Sequence, residues 1–178
     1  MNDPLSYLFY LIFVFLIIEF ILNSTWNSWY FRQGIPIYRK NYTLPKDMTI
    51  LAQRIQSKWI PDGWKLNLTF KDIAENEVAF REEIKFFVIG FQYAPVMHGL
   101  IRRNSKPNGV EIVGYLNWSA IVFAVFFLAI TLSTGLLTQT GICGFVFLIF
   151  FAIVFYTLFR IQAQRFDYVG TIFDEEKE

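Results

Sequence analysis

The sequence predicts an α-helical membrane protein with three transmembrane helices and a small cytoplasmic α+β domain of one helix and four to five antiparallel strands. Three observations lead to this fold class. Of the 178 residues, 54% are hydrophobic and only 17% are charged, whereas a soluble domain is about 45–50% apolar and about 25% charged. Three long apolar stretches interrupt the chain. All 16 lysine and arginine residues lie outside these stretches.

The composition excludes three other classes of protein. A disordered chain combines low hydrophobicity with high net charge, and this chain has neither, since its formal net charge is +1. A single cysteine cannot form a disulfide framework. The 16 basic and 15 acidic residues nearly balance, so we expect no nucleic-acid partner.

The first apolar stretch, residues 5–22, predicts a transmembrane helix. A helix rises about 1.5 Å per residue, so this stretch reaches about 27 Å, close to the hydrocarbon thickness of about 30 Å. A cleaved signal peptide would also be apolar here. However, the flank 1–4 carries no lysine or arginine and no small-residue cleavage motif follows, so the sequence favours an uncleaved helix.

Residues 23–115 predict the α+β domain. Its first part, residues 26–31, is rich in aromatic residues, which is typical of a belt at the membrane interface. A helix is predicted for residues 47–58, with Asp47 as its N-cap. Alternating polarity and turn signals predict strands over 64–70, 77–83, 86–89, 96–103 and 110–116.

Two further apolar stretches predict the second and third transmembrane helices. Residues 116–137 and 142–159 contain no charge, and residues 138–141 form a short turn between them. Residues 160–178 form a cytoplasmic tail, whose first part prolongs the third helix. Close packing of the two helices is favoured by the small residues Ala120, Ala124, Gly141 and Gly144.

The positions of the cations predict the orientation. Lysine and arginine fall within residues 32–106 and 160–177, and positively charged loops stay on the cytoplasmic side. The N-terminus is therefore predicted outside, with the central domain and the C-terminus in the cytoplasm. We expect the inner membrane of a bacterium as the location.

Glu19 is the one charged residue inside a predicted span, where an ionisable group is costly and often functional. Three interpretations are open. The carboxylate can reach the headgroups, it can pair with Arg160, Arg165 or another subunit, or it can lie on a proton or ion path. A transporter needs several polar groups at mid-depth, and the other spans offer only serine and threonine.

His98 is the only histidine and the only candidate catalytic base. It would need a carboxylate partner, which Glu82, Glu83 or Glu111 could provide. The alternative is a histidine on a strand face with no catalytic role. The next residue, Gly99, indicates a bulge or a close approach of the backbone.

The sequence predicts neither a metal site nor a cofactor. One histidine and one cysteine cannot supply the four ligands of a structural zinc site, and Cys143 lies inside a predicted span. No phosphate-binding loop or hydrolase motif occurs. The basic residues Arg102, Arg103 and Lys106 are candidates for contact with anionic headgroups.

These observations predict a non-enzymatic accessory or interaction subunit of a larger membrane assembly. Its expected partners are the lipid bilayer and other membrane subunits or further copies of itself. The alternatives are a small oligomeric channel or ion-coupled transporter that uses Glu19, and a membrane-bound enzyme that uses His98. The candidate interaction or intramembrane polar residues are Glu19, His98, Arg102, Arg103, Arg160 and Arg165.

Overall fold

A computed structural model describes residues 4–43, 50–59, 68–82, 96–104, 109–134 and 139–174. In these ranges the chain has an α+β fold with one antiparallel sheet. In chain order the elements are α1 (Pro4–Ser24), α2 (Ser28–Arg32), β1 (Pro36–Thr43), α3 (Ala52–Lys58), β2 (Leu68–Ala74), β3 (Glu77–Glu82), β4 (Met97–Arg103), β5 (Gly109–Leu116), α4 (Trp118–Thr134) and α5 (Gln139–Asp174).

The sheet has the strand order β1-β5-β4-β3-β2, and every neighbouring pair is antiparallel. The turn between β2 and β3 contains Asn76, whose φ of 60° lies in the left-handed region that asparagine tolerates well. β5 leads directly into α4, with only Asn117 between them. The sheet is therefore tied to α4 without a flexible connection.

β1 is a strand that the sequence analysis does not assign. It pairs with β5 at one edge of the sheet, where Tyr42 lies opposite Val110. Tyr38 is buried, whereas Arg39 and Lys40 are exposed. An edge strand of mixed polarity lacks the alternation from which strands are predicted, because only part of one face is covered.

One face of the sheet, called the core face, is covered by α3 and by the second half of α5. Gly99 lies on this face, where an added Cβ would overlap the ring of Phe80, so the predicted close approach is present. Each large apolar side chain that becomes fully buried contributes about 1.5–3 kcal/mol. The main side chains of this core are Phe80, Ile101 and Ile112 of the sheet, Ile55 of α3, Trp59 directly after α3, and Phe166, Val169, Ile172 and Phe173 of α5.

The opposite face, called the second face, carries α2 at the end of the sheet where the chain enters and leaves it. Tyr30 and Phe31 of α2 are completely buried and pack against Ala79 of β3. Asn27 caps α2, because its side-chain oxygen accepts hydrogen bonds from the backbone N–H groups of Trp29 and Tyr30. Trp29 remains 55% exposed.

α5 is one unbroken helix whose two halves have different surroundings. Its first half projects beyond the sheet and is exposed, with Phe150 and Ile153 each 60% accessible. Its second half, from Gln162 onward, packs on the core face. Residues Ile142–Phe173 are long and apolar enough to cross a membrane, by length and composition.

The prediction of three transmembrane helices is wrong: within the described residues, α5 is the one helix that is long and apolar enough to cross a membrane. Among the described residues, the apolar parts of the other two helices, Phe9–Ser24 and Trp118–Ala129, are shorter than that of α5. Composition alone does not reveal that Glu19 and Trp118 take part in polar contacts, described below. The fold is therefore α+β with one candidate span.

The three apolar helices lie side by side. α1 runs antiparallel to α4, with the rings of Phe9 and Phe126 5.3 Å apart. α4 runs antiparallel to α5, with the rings of Phe127 and Phe147 4.2 Å apart. Gly144 faces Thr131 at this crossing, where its lack of a side chain allows the close packing that the sequence predicts there.

Several predicted features lie outside the described residues. They include the N-cap Asp47 and the strand over 86–89. The predicted strand over 64–70 is described only from Leu68 onward, where β2 begins. α3 begins at Ala52 rather than in the predicted region around residue 47, and α5 continues to Asp174.

Candidate functional site at the helix–sheet junction

The most connected group of polar side chains lies where α1 ends, α4 begins and α2 crosses β4. We call this group the junction. All of its polar members are buried or half-buried, although they come from five parts of the chain. The junction consists of Glu19 and Asn23 of α1, Tyr30 of α2, Arg81 of β3, His98 of β4, and Asn117 and Trp118 before and at the start of α4.

Glu19 caps the N-terminus of α4. Its two carboxylate oxygens accept hydrogen bonds from the backbone N–H groups of Trp118 and Ser119, each at 2.6 Å. One of these oxygens also accepts a bond of 2.8 Å from the hydroxyl of Tyr30. The first N–H groups of any helix lack partners within the helix, and a negative charge there is favourable.

Arg81 makes the complementary contact at the C-terminus of α1. Its guanidinium donates to the backbone carbonyl oxygen of Asn23, in the last turn of the helix, and lies 4.4 Å from the ring centre of Trp26. A positive charge is favourable at a helix C-terminus. Burial lowers the pKa of Arg81, while the nearby Tyr30 raises it. A carboxylate and a guanidinium thus serve opposite ends of two adjacent helices.

His98 is buried, with 1% of its surface exposed, and stacks on Tyr30 with 4.4 Å between the ring centres. Its Nδ1 lies 2.8 Å from the side-chain oxygen of Asn117. Because that oxygen can only accept, Nδ1 is the protonated nitrogen of the neutral ring. Among the described residues, Nε2 has no hydrogen-bond partner.

Burial lowers the pKa of His98 to about 4, against the opposing effects of Asn117 and of the backbone of Tyr30 and Gln33. The ring is therefore neutral at neutral pH. Burial also raises the pKa of Tyr30, and the negative charge of Glu19 acts in the same direction. The hydroxyl proton of Tyr30 remains in place and is donated to Glu19.

The structure does not bring His98 to any of the carboxylates proposed for it. Glu82 lies on the core face, opposite to His98, and pairs with Arg165 at 2.5 Å. Glu111 lies on the second face, but it is four positions along β5 from Tyr115, the residue opposite His98, which corresponds to about 14 Å. Glu83 is outside the described residues.

The other candidate residues occupy separate places. Arg165 is buried and pairs with Glu82, not with Glu19. Arg102 forms an ion pair of 2.8 Å with Glu111. Glu111 also pairs with Arg39 of the neighbouring strand β1, at 3.1 Å. Arg160 is exposed on α5 and Arg103 is exposed at the end of β4, so neither belongs to the junction.

The described residues contain no group of three or more histidine, cysteine, aspartate or glutamate side chains that could hold a metal ion. Cys143 is exposed on α5. In chemical terms the junction is a closed set of hydrogen bonds around two helix ends.

Sequence reasoning singled out Glu19 and His98 but missed their partners. Tyr30 falls within the predicted interfacial belt of residues 26–31, and the sequence analysis assigns no role to Asn117. Asn117 and Trp118 lie about a hundred positions from Glu19, and no local pattern indicates that contact. The one available signal was the helix start itself, which needs an acceptor.

Comparison with protein-family models, with curated proteins and with solved structures finds no match for this chain. The class of protein is therefore defined by the fold and the junction alone. It is an α+β protein with a five-stranded antiparallel sheet, one helix long and apolar enough to cross a membrane, and a buried polar junction between sheet and helices.

Replacing Glu19 should destabilise the protein through α4. Glu19→Gln keeps one acceptor oxygen and leaves a buried N–H group without a partner, which costs about 1–3 kcal/mol in the free energy of unfolding. Glu19→Ala should cost more. Chemical unfolding in detergent micelles measures this, and hydrogen exchange should accelerate at the amides of Trp118 and Ser119.

The matched control is Glu77→Gln, which removes an exposed ion pair with Arg32 and should cost less than about 1 kcal/mol. If Glu19→Gln costs no more than Glu77→Gln, or if the two amides exchange at the wild-type rate, Glu19 does not cap α4.

His98 should make stability depend on pH. Its ordinary pKa of 6.5 falls to about 4 in the folded protein, so the unfolded chain binds more protons between these values. The contribution of the neutral His98 ring to the free energy of unfolding is complete above about pH 6.5, and it is lost as the pH falls toward about 4. We expect a loss of about 2–3 kcal/mol between about pH 7.5 and about pH 4.5.

The free energy of unfolding at both pH values, compared with that of His98→Gln, checks this. The variant has no titrating ring, so its loss over the same range should be smaller by that amount. An equal loss in both proteins would contradict the buried, neutral state of His98.

Proposed function

We propose that the protein is a non-enzymatic accessory subunit that is anchored in a membrane by the exposed apolar half of α5, with α4 packed beside it, and that docks on a larger membrane-associated assembly. One observation carries the proposal. The helix that is long and apolar enough to cross a membrane is exposed along its apolar half, and the same helix is part of the core of the sheet. Anchor and domain are thus one rigid body.

The attachment of α5 to the sheet is polar as well as apolar. Gln162 of α5 is completely buried, and its side-chain oxygen accepts from the backbone N–H groups of Val96 and Met97, at 3.0 and 3.1 Å. Three residues further along, Arg165 pairs with Glu82 of β3. Removing one partner of such a buried ion pair typically lowers the free energy of unfolding by about 3–5 kcal/mol. A helix fixed in this way can transmit the position of its anchor to the domain.

The aromatic residues of α2 support a place for the sheet at the membrane surface. Trp29 is exposed, and its ring contacts Trp118 at 5.5 Å, at the first residue of α4. Exposed tryptophan is favoured at headgroup depth. The distribution of lysine and arginine places the sheet on the cytoplasmic side in this proposal, with a bacterial inner membrane as the location.

The face of α1 that points away from α4 supports a partner. Tyr10, Phe13, Ile17 and Phe20 are each more than 40% exposed and follow at spacings of three and four residues, so they share one face of the helix. On its other side α1 contacts α4. A membrane subunit, or a second copy of this chain, would cover this aromatic face.

No specific observation supports either of the two alternative functions, a channel or transporter and an enzyme. Both oxygens of Glu19 are occupied by the junction, which leaves a channel or transporter without its proposed group. His98 is buried and has no carboxylate partner among the described residues, which leaves an enzyme without a base. The accessory role therefore remains the best supported function.

A charge in the exposed half of α5 should release the protein from the membrane. Phe150 lies at the middle of the apolar half, and arginine at the centre of a span costs about 2.5–3.5 kcal/mol. Phe150→Arg should lower the ratio of membrane-bound to released protein about a hundredfold. Alkaline carbonate extraction of membranes measures this ratio. Gln164→Arg, exposed on the sheet-packed half of the same helix, is the matched control and should leave the ratio unchanged.

Extraction of the wild-type protein by carbonate, or retention of Phe150→Arg at the wild-type level, would contradict anchoring by α5.

A partner on α1 should be captured by site-specific crosslinking in native membranes. A photoreactive phenylalanine at Phe13, which is 62% exposed, should form a discrete adduct with another protein or with a second copy of the chain. The same group at Ile12, which is 8% exposed, should react only within the chain. If positions 10, 13 and 17 react with lipid alone, the proposed docking through α1 is wrong.

A further inference from the structure

At the outer edge of β2, a side chain bonds backbone groups that a neighbouring strand would otherwise bond. β2 stands at the end of the sheet order, so among the described residues no strand pairs with this edge. The N–H and C=O groups of alternate residues along a strand point to the same edge. Because the N–H of Phe70 points away from β3, the backbone groups of Leu68 and Asp72 point outward with it.

The side-chain amide of Gln56 bonds two of these outward groups. Its nitrogen donates to the carbonyl oxygen of Leu68 at 3.3 Å, and its oxygen accepts from the N–H of Phe70 at 3.2 Å. Bonds to the C=O of one residue and to the N–H of the residue two positions further on are the pattern that one residue of a neighbouring parallel strand would make. Gln56 lies on α3 and is exposed to solvent, so its side chain can leave the edge without disturbing the core.

A cavity of about 470 Å³ lies beside this contact, between α3 and β2. Its walls include Gln53, Gln56 and Ser57 of α3 and Phe70 and Lys71 of β2. The volume is within the range of about 300–1000 Å³ of ligand sites in proteins. The groove therefore combines space with two backbone groups that a ligand can bond.

α3 itself is firmly fixed beside the groove. Ile55 and Trp59 are buried in the core, and the backbone N–H of Ala52 donates to the carboxylate of Asp72 at 2.9 Å. α3 therefore holds Gln56 in place at the edge of β2, where its side chain takes the position that an added strand would occupy.

We propose that the edge of β2 binds an extended peptide segment of a partner protein by strand addition, and that Gln56 occupies the edge until the segment arrives. Backbone hydrogen bonds would give the affinity and the groove would select the side chains. The proposal goes beyond membrane anchoring and does not rest on it. Loss of this binding would leave the behaviour of α5 in the membrane unchanged.

The test uses the full chain in detergent micelles and a fluorescein-labelled peptide with the sequence of β3, residues 77–82. This sequence already pairs antiparallel with the other edge of β2. Gln56→Ala should bind the peptide about tenfold more tightly than the wild type by fluorescence anisotropy, because the competing amide is gone. Hydrogen exchange within residues 68–74 should be faster in Gln56→Ala and should slow again when the peptide is added.

Gln53→Ala, which changes a wall of the groove but no bond to the edge, is the matched control and should bind like the wild type. A peptide with N-methylated alternate amides should not bind. Equal affinity of Gln56→Ala and wild type, no binding to Gln56→Ala at about 1 mM peptide, or binding of the N-methylated peptide would each overturn the proposal. A dimer of Gln56→Ala without peptide would assign the edge to a second copy and overturn it as well.

Discussion

The arrangement of the helices depends on how the ends of α1 and α4 satisfy their backbone groups. Both ends are partly buried beside aromatic side chains, and their terminal backbone groups have no partners within their own helices. Glu19 accepts from the N-terminus of α4, and Arg81 donates to the C-terminus of α1. Each helix end receives the charge that its dipole favours. The first contact links α1 directly to α4, and the second links α1 to β3.

The second constraint is the continuity of α5. The first half of this helix is apolar and exposed, and its last turns are part of the core. Phe166 and Val169 are buried against the sheet, and Gln162 completes the hydrogen bonds at the start of β4. Together with the junction, this places the sheet between two fixed attachments. A load on the helices would therefore move the sheet as a unit.

The sequence predicts the local elements of the sheet well and its non-local contacts poorly. β3, β4 and β5 lie where alternation and the turn signals indicate strands. β1 escapes prediction because it joins β5 from about seventy residues away and has mixed polarity. The prediction of three spans is wrong: among the described residues, α5 is the one helix that is long and apolar enough to cross a membrane. The contact between Glu19 and Trp118 is likewise invisible in the apolar composition.

In the candidate site, too, local features can be predicted from the sequence and non-local contacts cannot. An ionisable residue in an apolar run is conspicuous in the sequence, and Glu19 is indeed a central residue of the junction. Its role depends on a helix start a hundred residues later, which no spacing rule can supply. His98 attracted attention because it is unique, but its surroundings of Tyr30 and Asn117 make it a neutral, stacked ring. A buried histidine is a catalytic candidate only when the fold places a carboxylate beside it.

The most direct test of this account is the distance between Glu19 and the start of α4. Solid-state NMR of the protein in lipid vesicles, with carbon-13 at the Glu19 carboxyl and nitrogen-15 at the Trp118 amide, measures that separation. The hydrogen bond of 2.6 Å predicts a carbon–nitrogen distance of about 3.5 Å. A separation greater than about 6 Å would contradict the cap and, with it, the positioning of α1 and α4 on the sheet.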